Sequence, residues 1–164
     1  LFSQLNNNNI LVGEFANKNG SPNAVAISSY SPNIRMMACR KESEAMREFS
    51  NHLEYLNSTN YTSSYDFLDL ASSWCADPDR IQSGKVLVVS SKQLGVEDND
   101  DKLICIDRLM GNKYIKLSAN AIGLYIPEDE LLKRTAYNWF VYLPTTEVLT
   151  SDTLIGKYLL ISQK

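Results

Sequence analysis

The sequence predicts an α+β fold, an antiparallel or mixed β-sheet packed against one long helix and shorter ones. Three observations lead there. Strand-like apolar runs open the chain from Ile10. Between Glu42 and Asn57 the apolar spacing changes to threes and fours. Strand-like runs then return after Lys85. Strands in runs with helices grouped between them, instead of strict alternation, favour α+β over a parallel α/β sheet. The 164 residues are expected to form one domain, 1–164, large enough for its own core.

The elements follow in order. Residues 1–9 are Asn-rich and expected to be irregular. Strands are expected at 10–16, 23–30 and 34–39, the first two joined by the turn cluster Asn17-Lys18-Asn19-Gly20-Ser21-Pro22. Met46, Phe49, Leu53 and Leu56 mark one face of the long helix. A second helix is expected over 66–76, with Phe67, Leu70, Ala71 and Trp74 on one side and Asp77-Pro78-Asp79 as its stop. Further strands are expected at 85–91, 102–107, 113–118 and 121–126. A third helix starts at Pro127, with Glu128, Asp129 and Glu130 in its first turn and Lys133 and Arg134 closing it. Strands at 137–143 and 157–162 complete the expectation.

Composition narrows the function. A chain 44% hydrophobic with seven Gly and five Pro is not disordered or low-complexity. No apolar run approaches the ~20 residues of a membrane helix, so no membrane partner is expected. The chain opens at Leu1 without an initiator Met and reads as an excised fragment or a processed product. A net charge of −3 disfavours a non-specific nucleic-acid coat, which gains affinity by neutralising phosphates. Cys39, Cys75 and Cys105 form no CxxC pair and read as free thiols of a reducing compartment. In that setting the sequons Asn57-Ser58-Thr59 and Asn60-Tyr61-Thr62 carry no meaning.

Enzyme chemistry has little to work with. His52 is the single histidine, so any Ser–His or Cys–His device would have to use it; beside an apolar stripe it reads as a packing residue. The acidic run Glu97-Asp98-Asn99-Asp100-Asp101 reads as a solvated loop before it reads as a metal site. No glycine-rich phosphate cradle exists, and no zinc set can be assembled. The chain is expected to be no enzyme and to carry no metal or cofactor. Binding is the better reading: nine Tyr, five Phe and two Trp exceed what a core needs. Tyr55 lies about a third of a turn off the Met46/Phe49/Leu53/Leu56 stripe, and is either a solvated tyrosine or a ligand platform.

One stretch points further. Lys85-Val86-Leu87-Val88-Val89-Ser90-Ser91-Lys92-Gln93-Leu94-Gly95-Val96-Glu97, an acidic loop, and Lys102-Leu103-Ile104-Cys105-Ile106-Asp107-Arg108-Leu109 resemble a hairpin of the cap-binding domain in the second basic subunit of orthomyxovirus polymerases. The match spans about 25 residues and extends loosely to Ala24-Val25-Ala26-Ile27 and the helix carrying Tyr55. The divergence points to a thogotovirus-like member.

The resemblance implies a non-catalytic domain of a viral RNA polymerase that holds the 7-methylguanosine cap of host pre-mRNA for cap snatching. Its partners would be other polymerase subunits and capped host RNA, in the host nucleus and the virion. A methylated guanine carries a delocalised positive charge, so it stacks between aromatic faces while an acid accepts from its N–H groups. By the resemblance Tyr55 is one stacker, and Glu14 and Phe15 are the acidic and aromatic pair. The opposing stacker lands on Asn8, Asn9 or Ile10, and the family's lysine lands near Tyr30 or Ser31; neither is provided. The segment before Lys85 is also some thirty residues shorter than in the influenza domain. A stacking face is worth roughly 1–3 kcal/mol and a charged hydrogen bond about 1.5–3. At tenfold per ~1.4 kcal/mol, these losses would turn a micromolar binder millimolar. A protein-interaction or scaffold module without nucleotide binding is the alternative.

Overall fold

A computed structural model describes residues 2–18, 27–57 and 64–163. The chain is α+β, with a three-stranded mixed sheet and several helices, and it gathers into two compact units, Leu1–Ser91 and Lys92–Lys164. Both sequons, and residues 23–26 of one expected strand, reach outside the described residues.

The first unit is built on the sheet. Its strands are β1 (Ile10–Lys18), β2 (Ile27–Cys39) and β3 (Val86–Val89), ordered β2-β1-β3. β1 pairs antiparallel with β2 and parallel with β3. The central strand is buried on both faces, so Ile10, Leu11 and Val12 are all core residues. That is why the run is continuous rather than alternating. The expected strand 34–39 and the described part of 23–30 are one strand, β2. What looked like a break is a bulge: Val12 lies opposite Met37 but Gly13 lies opposite Asn33, so residues 34–36 are extra. The freed Ile34 amide donates to Ser72 Oγ at 3.4 Å. Pro32, opposite Glu14, is tolerated because β2 is an edge strand.

Helix α1 (Glu44–Asn57) and α2 (Ser64–Cys75) cover this sheet, followed by the short α3 (Pro78–Gln82). Ser43 caps α1: its Oγ accepts from the Met46 amide at 3.3 Å and donates to the Asn9 carbonyl at 3.0 Å. Phe49 and Leu56 of the predicted stripe are buried with Ile10, Val12, Ala71, Trp74 and Val86, while Met46 and Leu53 pack at the margin. Phe49 and Trp74 meet at 5.4 Å between ring centroids. On α2, Ala71 and Trp74 face inward as expected, but Leu70 is exposed. The Asp-Pro-Asp stop is also a start: Asp77 Oδ1 accepts from the Asp79 amide and Pro78 takes the first position of α3.

The second unit departs most from the sequence reading. Its elements are α4 (Ile106–Met110), α5 (Glu128–Lys133), a 3-10 helix (Asn138–Tyr142), α6 (Thr145–Thr150) and α7 (Leu154–Ser162). Of these only α5 matches expectation. The strand expected at 102–107 is a single Glu97–Leu103 bridge followed by α4, where Ile106 and Leu109, three apart, share a buried helical face. Residues 113–118 and 121–126 belong to no strand or helix. In the run 137–143, Asn138–Tyr142 form the 3-10 helix, and 157–162 belong to α7, which Thr153 caps through the Gly156 amide at 3.1 Å. Short apolar runs satisfy either period, and tertiary packing decided these. Ile104, Ile106, Leu109, Ile115, Leu131, Phe140, Leu154 and Ile155 form the core. Residues 85–91 and 102–107 therefore do not form the expected hairpin: the first contributes β3, parallel to β1, and the second lies in the other unit.

Candidate functional site

Two places have the residue types a binding site needs: the Glu14–Phe15 region of the first unit and the aromatic surface of the second. Glu14 and Phe15 are consecutive in β1, so the pleat sends their side chains to opposite faces of the sheet. Glu14 is half-buried, and its Oε2 accepts from the Ser91 amide at 3.0 Å, joining β1 to the chain just past β3. Phe15 is 4% exposed, and the Arg35 guanidinium from the bulge stands 5.9 Å from its ring centroid. An aromatic face attracts a cation; at Phe15 the protein supplies one itself. Tyr55, by contrast, is 69% exposed near the end of α1. The pair and the tyrosine thus differ in kind, the former engaged in the sheet and the latter on the surface.

His52 serves packing. Its Nε2–H donates to the Leu70 carbonyl at 3.3 Å, and its ring centroid lies 6.5 Å from that of Phe49, so it ties α1 to α2. Cys75 is buried, and burial pushes its thiol up to about 11 against the opposing pull of Arg80, which keeps it protonated and unreactive.

The acidic run is organised by its own backbone. Asp98 is buried; its Oδ1 accepts from the amides of Asp100 and Lys102 at 2.9 Å each, and Arg108 donates to its Oδ2 at 2.5 Å. Burial alone raises the Asp98 pKa, but the bonds from Arg108, Lys102 and Asp100 outweigh it and hold the carboxyl below its ordinary value. Asp101 sits at φ 61° and pairs with Lys92 at 2.5 Å. Among the described residues, no group of three or more His, Cys, Asp or Glu could hold a metal ion.

The Ile106-Asp107-Arg108 motif has a visible task in this unit. Ile106 enters the core. Arg108 reaches Asp98 and also donates to the Leu103 carbonyl at 2.9 Å. Asp107 accepts from Arg134 at 2.5 Å and from the Tyr137 hydroxyl at 2.9 Å. The motif clasps the acidic loop on one side and the segment after α5 on the other.

The surface that the sequence reading missed lies in the 3-10 helix. With three residues per turn, positions i and i+3 eclipse, so Trp139 and Tyr142 share one side while Phe140 and Leu143 share another. Phe140 is buried, whereas Trp139 is 51% and Tyr142 80% exposed. The Trp139 ring rests edge-on against Phe140 at 5.8 Å, and its indole N–H donates to the Ala136 carbonyl at 2.9 Å, which fixes its orientation. Leu159, Leu160 and Ile161 at the end of α7 are exposed as well. Read as a strand, 137–143 would have set Phe140 beside Tyr142, and the pairing of Trp139 with Tyr142 was invisible.

No helix among the described residues is long and apolar enough to cross a membrane. Comparison with known families, characterised proteins and solved structures finds no match to the chain.

Proposed function

We propose that this chain is a non-catalytic domain of an orthomyxovirus-type polymerase subunit, and that it works by contact with other parts of that polymerase more than by holding a cap. Its place in the polymerase rests on the sequence resemblance of residues 85–97 and 102–109 alone, since these segments do not pair as the family's hairpin, and with it comes work in the host nucleus and the virion. The choice of protein contact rests on one observation: Trp139 and Tyr142 stand exposed on one side of a short helix whose other side is anchored in the core. Rigid, large aromatics of this kind are the residues that dominate interface energies.

Cap holding is the second reading, favoured by Tyr55 at the surface of α1. Against it, Phe15 is buried beneath Arg35 and Glu14 is bound to the Ser91 amide. Offering that ring to a base would require displacing Arg35 and uncovering a buried side chain.

The test has two arms. Binding of the chain to the remaining polymerase subunits is measured for the wild type and for Trp139→Ala and Tyr142→Ala. Each substitution is expected to weaken binding ~30-fold, the ~2 kcal/mol of an interface anchor. Wild-type chain that binds none of those subunits overturns the proposal. In the other arm, 7-methyl-GTP is titrated against fluorescence, and no saturation is expected at micromolar ligand. Micromolar saturation that disappears in Tyr55→Ala would establish the cap reading instead.

A further inference from the structure

We draw no further inference here: the strongest candidate, the exposed apolar side chains of Leu159, Leu160 and Ile161 at the end of α7, is an unpartnered helix end, and nothing in the structure shows what covers it.

Discussion

The two units solve the same problem by different means. The first, Leu1–Ser91, buries a central strand and lays two helices on it, so its core draws on long segments, with a clear period on α1. The second, Lys92–Lys164, has no strand among its described residues, and its helices run from five to nine residues. Helices that short do not hold on local hydrogen bonding. Besides its buried core, the second unit relies on particular close approaches and side-chain clasps. Gly95, at φ +65°, brings its backbone so near Gly123 that an added Cβ would lie 2.4 Å from the Gly123 oxygen. Gly156 has the same relation to Val148, whose oxygen would lie 2.3 Å away. Both units bury a core, and the second adds close fit to it.

The two tryptophans make the contrast measurable, since Trp74 belongs to the first unit and Trp139 to the second. Trp139→Phe and Trp74→Phe backgrounds therefore report one unit each in denaturant unfolding. The largest effect is expected from Phe49→Ala, which empties the centre of the first core and should cost about 3–5 kcal/mol in the transition seen by Trp74. A loss under ~1 kcal/mol would show that the sheet unit does not depend on its buried area as argued.

Gly95→Ala comes next. It combines a left-handed backbone with a direct clash, and should cost the second unit about 2–4 kcal/mol, read by Trp139. Near-neutral behaviour would mean that the 91–95 turn moves away freely and that fit is not what sustains this unit.

Acid sharpens the comparison. A carboxyl held below its ordinary value stabilises the fold at any pH above the unfolded value of about 3.9, and that contribution is lost as pH falls through it toward the folded value. Asp98 is such a group, clasped by Arg108. The Trp139 transition should therefore weaken below about pH 4, and Asp98→Asn should flatten that dependence. Asp152, also held low by Lys157 and Asn112 at the surface, would keep the slope from vanishing. An unchanged slope in Asp98→Asn would remove the clasp from the account.

The smallest expected effect is Ser43→Ala. Losing the cap of α1 should cost about 1 kcal/mol, seen by Trp74 alone. An equal shift at both tryptophans would mean that the units unfold together.

These differences explain what was legible. The stripe Met46/Phe49/Leu53/Leu56 could be read because α1 is long enough to repeat its period; its cap, Ser43, was not legible. β1 could be read because three buried residues in a row follow an Asn-rich segment. Its parallel pairing with β3 could not, because pairing direction leaves no trace in a four-residue run. In the second unit each apolar run was as good a strand as a helix. Ile106 and Leu109 became a helical face, and Phe140 and Leu143 one side of a 3-10 turn, only once neighbours had packed on them.

The candidate site divides the same way. Tyr55 was placed on the surface by helical period alone, and it is there. That Glu14 and Phe15 share a strand was also legible. The Ser91 amide on Glu14 was not, because it comes from 77 residues away, nor was Arg35 over Phe15, which arrives through a three-residue bulge.

Class of fold, the long helix and its inward face, the acid-rich start of α5 and the turn chemistry at Asp77-Pro78 were written in the sequence, since each depends on neighbours within a few positions. Tertiary structure alone decided the strand order, the conversion of late strand-like runs into short helices, and which aromatics reach solvent. Those outcomes depend on which distant segment covers a given face, and burial free energy rewards any cover that fits.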